Sequence, residues 1–128
     1  LVQNLPGKTG AVPDGVVVYD IAGPLFFGAA MKAMETLEII EDSARVVVFR
    51  MENVPVMDAT GLVAFESALA RLAERGCAAV IAGLQPQPMK VFEKGHLWEQ
   101  PGILLFRKSL DEALEAAGEL VHPHPKAA

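Results

Sequence analysis

Hydrophobic residues along the chain occur in two patterns, short continuous runs and runs spaced every three to four positions. The continuous runs are rich in Val, Ile, Leu or Phe and predict β-strands at residues 16–21, 45–51, 78–82 and 103–106. The spaced pattern has the period of an amphipathic helix and predicts helices at residues 29–40, 58–76, 86–94 and 109–120. Strands that alternate with helices predict an α/β fold with a mainly parallel sheet.

The segment between the first strand and the first helix adds one short element to this pattern. Gly23 and Pro24 end the first strand, and residues 25–27 (Leu-Phe-Phe) predict a short second strand. We expect Phe26 and Phe27 in the core, with the alternative that one of them faces a transmembrane portion or another subunit. The run at 45–51 shows no alternation, as expected for a strand that is covered on both faces.

The ends of the chain differ in composition from its centre. Residues 1–15 contain two prolines and three glycines and are expected to form a linker or irregular lead-in. Residues 16–121 are expected to form one domain, which suits a chain of 128 residues. Residues 122–128 are rich in Pro and are expected to form a disordered tail.

Charge and composition narrow the classes of function. The net charge of −5 would repel a phosphate backbone, so nucleic acid is not an expected partner. Cys77 is the only cysteine, so the chain can form neither an internal disulfide nor a cysteine zinc site. His122 and His124 lie in the Pro-rich tail, where nothing would hold them as ligands or bases, and His96 is expected to be a solvated residue in the turn after Gly95. We therefore expect no enzyme activity, no metal and no cofactor.

The most informative segment joins the third predicted strand to the helix that follows. Asp58 is placed to cap that helix, whose first amides lack internal partners, and Gly61 lets another group approach the backbone. This edge of an α/β sheet is where ligands and partners usually bind. The alternative is an ordinary cap followed by a tight turn, with two of the four apolar loop residues tucked under the sheet. The candidate contact surface consists of Val54, Pro55, Val56, Met57, Asp58, Ala59, Thr60 and Gly61.

Two motifs, in their order and spacing, resemble a known family. The segment 23–27 (GPLFF), followed by a helix and a Val-rich strand, and then residues 57–62 (MDATGL), resemble the STAS domain. That domain is shared by SulP anion transporters and by bacterial anti-sigma factor antagonists. The segment 23–27 and the pair Leu97–Trp98 resemble the SulP branch. The resemblance covers residues 16–120 and implies a STAS-like fold, a mixed, mainly parallel sheet of four to five strands flanked by four to five helices.

The resemblance also implies a function. It points to a non-catalytic regulatory and interaction domain of a SulP-type, sulfate-like inorganic anion transporter, on the cytoplasmic side of the cell membrane. Its expected partners are the transmembrane portion of the same transporter and a soluble cytoplasmic protein, with a homodimer formed through the parent transporter.

Two alternative functions remain open at this point. One is a free-standing antagonist-like signalling protein; Ala59 stands where that branch has a phosphorylated serine, and Thr60 is only a weak candidate for phosphorylation. The other is a small nucleotide-binding α/β module. No GxGxxG motif or P-loop occurs in the sequence.

Overall fold

The computed structural model describes residues 2–4, 12–36 and 43–121, which form five strands and four helices. The strands are β1 (Val2–Asn4), β2 (Val16–Ala22), β3 (Val46–Asn53), β4 (Ala78–Ala82) and β5 (Leu104–Arg107). The helices are α1 (Phe27–Thr36), α2 (Ala59–Glu74), α3 (Pro86–Lys94) and α4 (Leu110–Val121). Strands and helices alternate from β2 onwards, which confirms the predicted α/β class.

The five strands form one mixed sheet in the order β1-β2-β3-β4-β5. Strand β1 pairs antiparallel with β2, while β2, β3, β4 and β5 pair parallel with one another. Each parallel pair is joined by a crossover helix, because parallel neighbours cannot be linked by a tight turn. The carboxyl ends of four strands, and the loops that follow them, therefore share one edge of the sheet.

Side chains of the central strands alternate between two buried layers. Tyr19, Phe49 and Ile81 face the layer that contains α1, α2 and α3, whereas Val48 and Val80 face the layer that contains α4. Helices cover both faces of the sheet, so all four residues from 46 to 49 are at most 1% exposed. The uninterrupted apolar run that the sequence shows in β3 follows from this double covering.

A row of aromatic rings crosses the first layer. Ring centroids lie 6.2 Å apart for Tyr19 and Phe49, 4.9 Å for Phe49 and Phe65, 5.5 Å for Phe65 and Phe92, and 5.8 Å for Phe92 and Phe106. These are distances at which aromatic pairs attract one another beyond their buried area. The row ties β2, β3, α2, α3 and β5 into one core.

The prediction of a short strand at 25–27 was wrong. Leu25 makes a single parallel bridge to Met57, and α1 already begins at Phe27. The expectation that Phe26 and Phe27 lie in the core was wrong as well, since they are 47% and 50% exposed. Leu25, which is 2% exposed, fills the inward position of this segment, and the helix that starts behind it turns both rings outward.

Other differences concern the ends of elements. Strand β1 lies within the lead-in that was expected to be irregular. Strand β3 continues two residues past its predicted end, and β5 begins one residue late. The last predicted turn of the first helix, at residues 37–40, and the tail at 122–128 lie outside the described residues.

The aromatic row predicts a contrast between two identical substitutions. Phe49→Ala should lower the free energy of unfolding by about 3–5 kcal/mol, because it empties a fully buried position. Phe27→Ala removes the same atoms from a half-exposed position and should cost about 1 kcal/mol or less. Urea unfolding measures both. Equal losses would contradict the outward placement of Phe27.

Candidate docking site

The candidate site lies at the carboxyl edge of the sheet, where the first turns of two helices meet. Leu25 and Met57 form a parallel bridge, in which the Leu25 amide donates to the Val56 carbonyl at 2.9 Å. Helix α1 starts two residues after Leu25, and α2 starts two residues after Met57. The bridge therefore sets the two helix starts side by side.

Asp58 caps α2 as the sequence predicts. Its backbone is extended, with φ −123° and ψ 179°, and its Oδ1 atom accepts from the Gly61 amide at 2.9 Å. The Thr60 hydroxyl donates to the same oxygen at 2.7 Å. The hydrogen bond from Thr60, and then that from Gly61, hold the pKa of the Asp58 carboxyl below its ordinary value of 3.8. Asp58 is therefore an exposed, ionised carboxylate at neutral pH.

Gly61 has a different role from the one the sequence suggests. It is buried, and a Cβ atom added to it would lie 2.2 Å from the Leu25 carbonyl oxygen. The group that approaches this glycine is therefore the backbone of the same chain. Gly61 allows α1 and α2 to start in contact, and its backbone is closed to a partner.

The remaining candidate residues divide by exposure. Val54 and Met57 are 0% and 1% exposed, so they tuck under the sheet edge, which was the alternative stated for this loop. Val56 is half-buried. Four of the eight candidates are exposed and can be reached by a partner: Pro55, Asp58, Ala59 and Thr60.

Further exposed apolar side chains, which the site prediction did not include, lie on the two helices that start at this contact. Phe27 and Met31 are one helical turn apart on α1, and Ala59 and Val63 are one turn apart on α2. Phe27, Met31 and Val63 are 50%, 41% and 56% exposed. The docking surface is hereafter the set Phe26, Phe27, Met31, Pro55, Ala59 and Val63.

The site loop has a support that no local sequence pattern predicts. The side-chain amide of Gln87, in the first turn of α3, accepts from the Met57 amide at 2.9 Å and donates to the Met57 carbonyl at 3.0 Å. Gln85 donates to the Glu52 carbonyl at 2.7 Å. The sequence shows only two glutamines beside prolines at a helix start. Their partners lie about thirty positions earlier, which no local pattern reveals.

The cysteine and the possible metal ligands of the described residues are either hydrogen-bonded or not clustered. Cys77 is buried, as expected, and its Sγ donates to the Ala44 carbonyl at 3.1 Å. Within residues 2–4, 12–36 and 43–121, no group of three or more His, Cys, Asp or Glu side chains is placed to hold a metal ion. In the same ranges, no helix combines the length and apolar character needed to cross a membrane.

Comparison with known proteins places this architecture in a family. A family model described as STAS domain matches residues 10–113. A solved structure of a sulfate transporter family protein from Wolinella succinogenes is 30% identical, has a TM-score of 0.77, and covers 91% of this chain and 96% of its own. That solved chain is almost entirely the same domain, so a domain of this kind folds as a separate unit.

Further similarity comes from a second transporter domain and from a curated protein. The STAS domain of a SulP transporter from Vibrio cholerae is 26% identical with a TM-score of 0.64, and the match covers 86% of this chain and 88% of that one. Bicarbonate transporter BicA from Synechocystis sp. is 32% identical over 79 residues, which are 62% of this chain and 14% of the relative. This chain therefore matches only a small part of that relative's length.

The antagonist branch is more distant. The anti-sigma factor antagonist SpoIIAA, in its unphosphorylated form, shares 18% identity with a TM-score of 0.60, and the match covers 91% of this chain and 96% of that one. At this identity the likeness is one of fold alone.

The contact at Gly61 predicts a second contrast. Gly61→Ala should lower the free energy of unfolding by about 2–3 kcal/mol, because the added methyl group meets the backbone oxygen of Leu25. Gly28→Ala is the matched control, since nothing lies within 4 Å of a Cβ added there. It should leave stability unchanged or raise it by up to about 1 kcal/mol. If urea unfolding finds both variants as stable as the parent, the close contact is absent.

The cap at Asp58 predicts a pH-dependent effect. Asp58→Ala should lower the melting temperature by several degrees at pH 7, while Asp58→Asn, which keeps an acceptor oxygen, should lower it less. Because the pKa of Asp58 is lowered on folding, its charge contributes stability above the unfolded pKa of 3.8. That contribution should vanish as the pH falls through the still lower folded pKa. Melting curves of the protein and of Asp58→Asn should therefore converge in acid, and a constant difference would refute the cap.

Proposed function

Because the chain belongs to the STAS domain family, in its SulP transporter branch, we propose that it is a non-catalytic regulatory domain that docks on the transmembrane portion of its own transporter. The observation that carries the proposal is the docking surface. It places three large apolar side chains, each at least 41% exposed, on two helices that start in contact.

The apolar side chains of the docking surface are not needed to close the core of this chain. Both buried layers close without them, since Leu25 and Ala30 fill the inward positions of the α1 segment at 2% and 0% exposure. Grouped exposed apolar residues beside polar ones are typical of a protein interaction site. Asp58 and Thr60 supply the polar rim of this one.

A protein surface suits this site better than a lipid surface. The chain carries a net charge of −5, and the cytoplasmic leaflet of a membrane is itself negative, so the domain as a whole is repelled by lipid head groups. In the related bicarbonate transporter the matched region is 14% of the length, which leaves most of that protein available as a partner. The transport of an inorganic anion would belong to that other portion.

The cytoplasmic side is the location that the chain's chemistry favours. A single cysteine, buried and reduced, is usual for a protein kept in a reducing compartment. The regulatory role follows from docking, because a domain that binds one state of the transmembrane portion more tightly shifts the balance between its states.

The signalling alternative receives less support. Ala59 is exposed in the first turn of α2 but has no hydroxyl to phosphorylate. The adjacent Thr60 hydroxyl already donates to Asp58, and a phosphate there would face that carboxylate. No contact in the described residues favours nucleotide binding over the docking role.

The proposal is tested by placing a charge in the docking surface. Val63→Glu should weaken binding of this chain to the transmembrane portion, expressed as a separate polypeptide, by about tenfold or more, since a carboxylate would be buried without a partner. Met89→Glu is the matched control, because Met89 is similarly exposed, at 42%, but lies on α3. Equal affinities for Val63→Glu and the parent chain would refute the docking role, provided both have the same circular dichroism spectrum.

A further inference from the structure

We propose that Gln87 is a positioning residue for the docking surface, through which α3 fixes the loop that leads into α2. The inference rests on the proposed docking function and names the part of the fold that would regulate it. It is based on a single side-chain amide that binds both backbone groups of Met57.

The Gln87 side-chain amide pairs with the backbone of Met57 as a neighbouring β-strand would, with one accepted and one donated hydrogen bond. On one side Met57 forms the bridge to Leu25, at the start of α1. On the other side both its amide and its carbonyl are bound by Gln87, at 2.9 and 3.0 Å. One row of hydrogen bonds thus joins the starts of α1, α2 and α3. The orientation of the first turn of α2, and of Ala59 within it, depends on this row.

A second glutamine holds the other end of the same loop. Gln85 donates to the Glu52 carbonyl at 2.7 Å, so the residues between Glu52 and Met57 are bracketed by two side chains from the start of α3. Within this bracket Pro55 is exposed and Val54 is buried. The loop has one buried apolar anchor of its own, and its Asn53 and Val56 carbonyls accept from the Gly23 and Leu25 amides at 2.9 Å. The two glutamines of α3 hold its ends in addition.

Helix α3 is itself fixed against the core, so it is a firm support. Phe92 is 1% exposed and belongs to the aromatic row. At the end of the helix, a Cβ atom added to Gly95 would lie 2.2 Å from Leu62 Cδ2, so the two helices are in close contact there. Pro86 at the start of α3 restricts its backbone further. A shift of α3 would consequently be transmitted to Met57 through Gln87.

Removing the Gln87 amide should affect only the part of the chain near Met57, whereas removing a residue that stabilises the whole domain would affect every element. Without the amide, the Met57 amide and carbonyl lose their partners on that side, and the effect is confined to the loop and the first turn of α2. Helix α4 packs on the opposite face of the sheet and should not respond. Hydrogen exchange resolved by residue distinguishes a loss of amide protection confined to the loop and the first turn of α2 from a loss that includes α4.

Gln87→Glu gives the sharpest test, because its effect should depend on pH. Near pH 7 the carboxylate can accept from the Met57 amide but repels the Met57 carbonyl, so exchange of the Met57 and Gly61 amides should accelerate about tenfold or more relative to the parent chain. Below about pH 4.3 the carboxyl is protonated and again offers one donor and one acceptor, like the amide that it replaces. Protection relative to the parent at the same pH should then return.

Two further variants complete the experiment. Gln87→Met keeps the length of the side chain, removes both hydrogen bonds and should give the same loss of protection at every pH. Gln100→Glu is the control, because it makes the same charge change beside Leu104, at the amino end of β5 and away from the site. It should leave the exchange rates of the Met57 and Gly61 amides unchanged. The chain alone is sufficient, since a domain of this kind folds as a separate unit.

Unchanged protection in both Gln87 variants, or acceleration that is equally large in α4, would overturn the positioning role. Binding to the separately expressed transmembrane portion is the second readout, and Gln87→Met should weaken it at least threefold. Faster exchange with unchanged binding would overturn the proposal while leaving the docking function intact. If Val63→Glu also binds normally, it is the docking function itself that fails.

Discussion

The contact between the Leu25 carbonyl and Gly61 is the constraint on which the site depends. It brings the start of α1 against the first turn of α2 at a distance that only glycine permits. The bridge between Leu25 and Met57 fixes the same two segments through their backbones. Because both helices begin at this contact, it sets how their outward residues are placed relative to one another at the carboxyl edge of the sheet.

This constraint separates the residues that build the site from those that a partner can reach. Val54, Met57 and Gly61 are buried, and Met57 and Gly61 join the two helix starts through their contacts with Leu25. Phe27 and Val63 project outward from the helices so placed, and Asp58 contributes an ionised carboxylate beside them. Exposed apolar side chains on a closely packed backbone are typical of a site that recognises another protein.

The features that the sequence predicted well depend on neighbours along the chain. The period of apolar residues gave the strands and helices, and the Asp58 cap involves a partner only three positions away. The outward placement of Phe27 could not be predicted, because it depends on Leu25 filling the inward position first. The binding of Met57 by Gln87 links residues thirty positions apart, and glutamine at a helix start is common for many reasons.

The central claim is that the joined starts of α1 and α2 form the surface that meets the transmembrane portion. Hydrogen–deuterium exchange of this chain, alone and with that portion added, tests it most directly. We expect slower exchange in peptides covering residues 26–31 and 55–63, with no change in those covering α4. Slower exchange confined to α4, with residues 26–31 and 55–63 unaffected, would contradict it.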